Sequence, residues 1–250
     1  MPMWGGFHHA PWAVLTEDFL LGGRVALRQP RDGLRAGHDA VLLAASVPAR
    51  PGETVLELGC GAGAAFLCLA ARVPGLTIVA VEREPSLAAL ARENAARNGL
   101  SGVTVIEGDV ADPALRKALP RAAHGFANPP FWRDGTVPPG ALRQAATHGV
   151  ALEDWAACLR VVAPPGSARL ILPAARFADG LRALAGAGFG SPALLPLWPR
   201  AGLAAKRVIL GARRGGKSPG RVLAGLVLHD GAGATAEAEA VLRDGAALEV

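Results

Sequence analysis

The sequence predicts an α/β fold, a doubly wound sheet that is parallel at its centre and ends in an antiparallel C-terminal hairpin. Three observations carry this expectation. Short apolar, partly β-branched runs alternate with helical stretches from residue 54 onward. The first of these runs opens into a glycine-rich turn, Gly59-Cys60-Gly61-Ala62-Gly63, immediately before a helical stretch. With 250 residues, 51% of them apolar, the chain is long enough to bury one full α/β core.

Each element follows from its residues. Thr54 to Leu58 is a buried strand bounded by Pro51-Gly52 and Gly59, and Ala64 to Arg72 is the helix after it. Leu76 to Val81 is a second strand ending in Glu82, followed by a helix from Ser86 to Asn98 that Gly99 closes. A third strand, Val103 to Glu107, runs into Gly108-Asp109, and Ala114 to Leu119 is helical. Gly125 to Ala127 is the fourth strand, Leu152 to Val162 a helix, and Pro164-Pro165-Gly166 the turn before a fifth strand at Ala168. Ala175 to Ala187 is again helical, and antiparallel strands after Pro192 complete seven in all. Among the late segments, Arg207 to Ala212 and Val222 to Leu228 read as strands around a flexible loop, and Thr235 caps a last helix to Leu242. Residues 1–50 read as an N-terminal cap and hairpin region, and residues 51–250 as the main domain of one compact unit.

Composition narrows the function classes. No apolar run approaches bilayer-crossing length, and Met1 to Ala10 lacks the pattern of a secretory leader, so a cytoplasmic protein is expected. Cys60, Cys68 and Cys158 form neither a zinc pattern nor a disulfide framework, the histidines lack ligand spacing, and no metal is assigned.

The strand ends carry the chemistry. A strand feeding a glycine turn into a helix presents backbone N–H groups to a closely approaching ligand. Glu82 stands where an acid can accept both hydroxyls of a ribose, and Asp109 where a carboxylate can accept from an adenine amino group. Gly59, Gly61 and Ala64 also satisfy a dinucleotide pattern, so a nicotinamide cofactor remains open on these residues alone.

Asn128-Pro129-Pro130-Phe131 separates the two cofactors. An aromatic amine is a poor nucleophile because its lone pair is delocalised into the ring. Two acceptors aimed at its hydrogens expose that lone pair, and the Asn128 side-chain oxygen with the Pro129 carbonyl can supply them. Pro129 and Pro130 stiffen the turn, and Phe131 can stack on the base. Hydride transfer has no use for this set.

With these motifs the chain resembles class I S-adenosylmethionine-dependent methyltransferases, whose Rossmann-like sheet is seven-stranded, and within them the N6-adenine group with its Asn-Pro-Pro-aromatic motif. Three further stretches, Asp18 to Arg24, Gln29 to Arg31 and Gly33 to Leu43, are similar to the start of the bacterial tRNA(Val) adenine-37 N6-methyltransferases. The resemblance implies S-adenosylmethionine as cofactor. It implies Glu57, Gly59, Gly61 and Gly63 as the methionine-and-ribose turn, Glu82 as the ribose acid, Asp109 as the adenine contact, and Asn128 to Phe131 as the target-base clamp. Asp39 is implied in the motif that closes over the cofactor. Two positions depart from the family: Phe131 stands where many relatives have Tyr, and His148-Gly149 where His-Glu is expected.

Charge points to a polyanion. The formal net charge is +5, and from Gly180 to His229 there is no acidic residue while lysine and arginine recur. RNA, with tRNA implied by the resemblance, is the expected partner. Arg31 and Arg35 in the N-terminal region and Arg213, Arg214 and Lys217 in the loop after the Arg207 strand are expected backbone contacts, provided both groups flank the cofactor end of the sheet. Asp134 to Gly149 reads as a mobile loop beside the clamp, and makes Trp132, Arg143 and His148 candidate substrate contacts. The same clamp also fits a guanine N2 in ribosomal RNA or a protein glutamine, and a non-catalytic RNA-binding protein could keep the fold.

Overall fold

The computed structural model describes residues 14–32, 35–130 and 151–250. Its centre is a nine-stranded mixed sheet with helices packed on both faces. In chain order, β1 (Leu15–Leu20) and β2 (Val25–Pro30) form a separate antiparallel ribbon. Then come α1 (His38–Ser46), β3 (Thr54–Leu58), α2 (Ala64–Arg72), β4 (Thr77–Glu82), α3 (Pro85–Arg97), β5 (Val103–Glu107), α4 (Pro113–Ala118) and β6 (Ala122–Ala127). After residue 150 follow α5 (Leu152–Cys158), β7 (Val162–Pro173), α6 (Phe177–Gly186), β8 (Phe189–Trp198) and β9 (Arg207–Arg214). The chain closes with the short strands β10 (Arg221–Val222), β11 (Leu226–Val227), β12 (His229–Asp230) and β13 (Gly233–Ala234), and with α7 (Ala236–Leu242).

Strand order across the main sheet is β10-β8-β9-β7-β6-β3-β4-β5, with β11 also on β8. Strands β5, β4, β3, β6 and β7 are parallel, and β9 runs antiparallel between β7 and β8. The order reverses at β3, where the chain goes first to β4 and β5 and then back to β6. Ligands of open α/β sheets sit at such a switch point, outside the carboxyl ends of the strands. Helices α1, α2 and α3 cover one face through Leu43, Phe66 and Ala91, and α5 and α6 cover the other through Trp155, Cys158 and Leu184.

Strands β3 to β7 and β9 fall where the sequence predicts strands, β8 takes the seventh place expected of Val222 to Leu228, and three late features differ from the sequence reading. Val222 to Leu228 is not one strand. Gly225, at φ +89°, interrupts it, and the two surviving pieces run parallel to β8 instead of pairing with β9. The loop from Arg213 to Gly220 is tied down: the Gly215 amide donates to Gly188 O at 3.0 Å and the Ser218 amide to Ser191 Oγ at 2.8 Å. Pro164-Pro165-Gly166 lies within β7 instead of before it, as a bulge where the pairing jumps from Ala122–Val162 to His124–Ser167. Proline has no N–H for the ladder, so the four intervening residues of β7 leave it together.

The N-terminal ribbon is bonded to the body. Asn94, fully buried on α3, accepts from the Arg28 amide at 2.9 Å and donates to the carbonyls of Arg28 and Ala62. Asn98 repeats the pattern with Ala26, accepting from its amide at 3.0 Å and donating to its carbonyl at 2.7 Å. Helix α1 packs on α2 within the core.

Candidate active site

Register alone assembles the site. Leu58, the last residue of β3, pairs with Val81 of β4 on one side and Ala127 of β6 on the other. The next residues are Gly59, Glu82 and Asn128, which therefore emerge side by side. Glu82 pairs with Glu107, which sets Asp109 one strand further out. From the end of β5 to that of β6 is three strand spacings, about 14 Å.

A cavity of about 1090 Å³ opens over this row. It is lined by Asp39, Glu57, Gly59, Gly61, Glu82, Asp109, Asn128, Pro129 and Pro130, so nine of the expected cofactor and clamp residues share one space. Arg35 lies on its wall. Gly63 does not: it is the N-cap of α2 at φ +97°, and a Cβ there would stand 2.5 Å from the Phe66 ring. Its role is the turn into the helix and its close packing. Gly61 differs, because at φ +55° a Cβ would meet nothing within 4 Å and would project into open space. That is the backbone a ligand can approach.

The acids are held differently. Glu82 accepts from the Gly61 amide through Oε2 at 2.8 Å and from the Glu84 amide through Oε1 at 2.9 Å, which fixes its carboxylate against the glycine turn. The Arg83 amide also donates to this carboxylate, and since a carboxylate has about four acceptor positions, it keeps acceptor capacity for a ligand hydroxyl. Burial pushes its pKa up, and the backbone amides only partly offset this. Glu57 is buried at 3% exposure. The Phe66 amide donates to its carboxyl, yet its Oε2 has no partner. Burial drives its pKa well above the usual carboxylate range, with nearby Glu82 adding to the effect. An orphaned acceptor in the cavity wall fits a cationic, hydrogen-bond-donating ligand. Asp109 is half-exposed, accepts from the Ala111 amide at 2.9 Å and pairs with Arg83 at 3.3 Å.

Sequence reasoning missed several wall residues. Trp155 of α5 packs over Gly59, where a Cβ would lie 2.6 Å from its ring, and Arg207 at the start of β9 pairs with Asp39 at 2.9 Å. Neither carries a local signal, since Arg207 and Asp39 are 168 positions apart. Arg35 is engaged too: it grips Asp18 with one guanidinium nitrogen at 2.9 and 2.7 Å and donates to Thr16 at 2.8 Å. Gln29, 3% exposed, donates to the same Asp18 and accepts from the Ala36 amide at 2.8 Å. Asp18, Gln29 and Arg35 thus form one clamp beside residues 35–39, which line the cavity.

Arg213, Arg214 and Lys217 are at the far end of the sheet. Arg213 pairs with Ser167, near the amino end of β7, whereas Arg207 pairs with Pro173 at its carboxyl end. Six residues of β-strand separate the two, about 20 Å. The expected flanking of the cofactor end by both basic groups is therefore not the arrangement found, because β9 runs antiparallel and carries its second half away from the site. Arg31 is exposed and outside the cavity wall. Phe131, Trp132, Arg143 and His148, with the loop from Asp134 to Gly149, lie outside the described residues.

A methyltransferase-domain family model matches residues 49–120, which span β3 to α4. The tRNA1(Val) (adenine(37)-N6)-methyltransferase of Aeromonas hydrophila is 34% identical over 190 residues, 74% of this chain and 79% of that protein. The chain belongs to the tRNA1(Val) (adenine(37)-N6)-methyltransferase family. A second member, from Dickeya chrysanthemi, is 31% identical over 75% of this chain and 76% of its own length. Among solved structures, a predicted O-methyltransferase from Agrobacterium tumefaciens superposes with a TM-score of 0.67 at 27% identity, covering 85% of this chain and 99% of that one. A geranyl diphosphate C-methyltransferase from Streptomyces coelicolor, in complex with S-adenosyl-L-homocysteine, shares the fold at a TM-score of 0.51 and 14% identity, over 70% of this chain and 78% of its own. This member of the family is an S-adenosylmethionine-dependent methyltransferase, and the residues around the cavity fit that cofactor: a bare backbone at Gly61, a fixed acid at Glu82 and an orphaned acceptor at Glu57. Among the described residues, no group of three or more His, Cys, Asp or Glu is placed to hold a metal ion, and no helix is long and apolar enough to cross a membrane.

Proposed function

We propose that this enzyme methylates the exocyclic N6 of an adenine in RNA, and that its substrate is adenine 37 of a valine tRNA. The observation that carries the reading is Asn128-Pro129-Pro130 in the same cavity as Glu57, Gly61 and Glu82, at the end of the adjacent strand. The substrate and the position rest on the names of the relatives from Aeromonas hydrophila and Dickeya chrysanthemi.

S-adenosylmethionine supplies a methyl group on a positively charged sulfur, which is already activated as a leaving group. The protein's task is then orientation. Glu82 and Asp109 fix one end of the cavity, and the Asn128 oxygen and Pro129 carbonyl accept the two hydrogens of the incoming amine. Held in this way, the nitrogen presents its lone pair and loses a proton once the new bond has formed. An adenine enters the pocket only after leaving its stack, which single-stranded loop nucleotides do at low cost.

The structurally similar Agrobacterium tumefaciens protein is a predicted O-methyltransferase, a class whose acceptor is oxygen. Two acceptors set for two hydrogens favour an NH₂ group over a hydroxyl, which has one hydrogen to give. The test is transfer of labelled methyl from S-adenosylmethionine to total unmodified tRNA, followed by nucleoside mass analysis. N6-methyladenosine with wild type and none with Asn128→Ala is the expected result. A labelled N2-methylguanosine, a 2′-O-methyl nucleoside or a labelled protein glutamine would replace the adenine reading.

A further inference from the structure

The basic stretch from Gly180 to His229 is a single feature in sequence, but the topology divides it between opposite ends of the sheet. Arg213, Arg214, Lys217 and Arg221 go to the amino ends of the parallel strands. The turn between β8 and β9, residues 199–206, is at the carboxyl ends, because Leu197 pairs with Arg207 and Arg207 with Pro173. There it stands beside β7, on the far side of Asn128 from Glu82 and Asp109. Ala205, Lys206 and Arg207 line the cavity together with Pro173 to Arg176.

We propose that the β8–β9 turn is the surface that docks the RNA backbone, with Arg200 and Lys206 as its phosphate contacts. The proposal rests on the RNA reading above. Arg200 and Lys206 are exposed, and among the described residues neither has an acidic partner. Arg207 and Arg176 on this wall are engaged, Arg207 with Asp39 at 2.9 Å and Arg176 with Asp179 at 2.6 Å. The turn is shaped and fixed. Gly202 is at φ +77°, the Leu203 amide donates to Arg200 O at 3.2 Å, and the Ala174 amide donates to Lys206 O at 3.0 Å. That last bond joins the turn to the end of β7, so the backbone at Lys206 is fixed at the mouth. Leu203, 53% exposed, gives the tip an apolar surface between the two cations. One cation on each side of an exposed apolar residue, at the edge of a cavity that takes one base, fits a nucleotide strand whose phosphates flank the extruded base.

The test is the salt dependence of binding to an unmodified tRNA transcript, between about 50 and 200 mM monovalent salt. Arg200→Ala/Lys206→Ala lowers the slope of log affinity against log salt by about 1.5, two phosphate contacts, and raises the RNA KM about tenfold or more, with cofactor affinity unchanged. Arg213→Ala/Lys217→Ala leaves the slope as in wild type, and Lys206→Arg retains binding. Cofactor affinity and a thermal melt verify that each variant is folded. An unchanged slope in the turn variant, or a loss confined to the far-end variant, overturns the proposal. The product nucleoside is read separately: a reduced slope with a product other than N6-methyladenosine keeps this surface and removes the adenine reading, and the converse keeps the reading and removes the surface.

Discussion

Gly61 and Gly63 stand two residues apart in one turn, and a methyl group would act differently at each. Gly61→Ala meets open space, so it costs only the left-handed backbone penalty of about 1 kcal/mol, while its methyl occupies the ligand's approach. We expect a near-native melting temperature and a cofactor Kd raised tenfold or more by calorimetry. Gly63→Ala drives a methyl into Phe66 at the same unfavourable φ, and should lower stability by about 2–4 kcal/mol in denaturant titration. A glycine-rich motif does not reveal this division, because chain spacing shows where the backbone must bend and not which bend faces the ligand. Glu57 gives a pH prediction. Burial raises its pKa in the folded state, so the native carboxyl binds its proton more tightly than the unfolded one. Its contribution to stability is present below the unfolded value near 4.3 and is lost as pH rises towards the folded value. The ligand-free melting temperature should fall between pH 5 and pH 8, and less so in Glu57→Gln; equal falls in the two proteins would contradict this.

At the scale of elements, the sequence was legible where a local pattern sets the structure. Strands β3 to β6 and their following helices are short apolar runs punctuated by Gly, Pro or Asn, and their ends carry the site. It was not legible where pairing is decided at a distance. Val222 to Leu228 has the composition of a strand, but Gly225 and the already paired β9 leave it only short contacts along β8. The Asp18–Gln29–Arg35 clamp was also out of reach, since nothing in the residues shows that a guanidinium is committed to a carboxylate 17 positions away. Arg35 is expected to act on the cofactor wall: Gln29→Ala should raise the cofactor KM severalfold with kcat little changed, measured at saturating RNA. Asn94→Ala removes three hydrogen bonds at a buried position and leaves backbone groups of Arg28 and Ala62 unpaired. A loss of about 2–4 kcal/mol is expected, with faster amide exchange across β1 and β2 than across β3.

In the whole molecule, one sheet gives direction to everything else. Its switch point at β3 puts the glycine turn between Glu82 at the end of β4 and Asn128 after β6, and its reversed strand β9 sends half of the basic residues away from the mouth. Net charge announced a polyanionic partner without showing which surface meets it, since charge is a property of composition and a docking surface one of topology. In the proposed reaction one base is brought to Asn128 and receives the methyl group there. Mapping the methyl group on an unmodified valine tRNA transcript after single-turnover reaction tests this most directly. One N6-methyl at adenine 37, absent when guanosine replaces that adenine, is the predicted result, and a methyl on another position or on an atom other than N6 would contradict it.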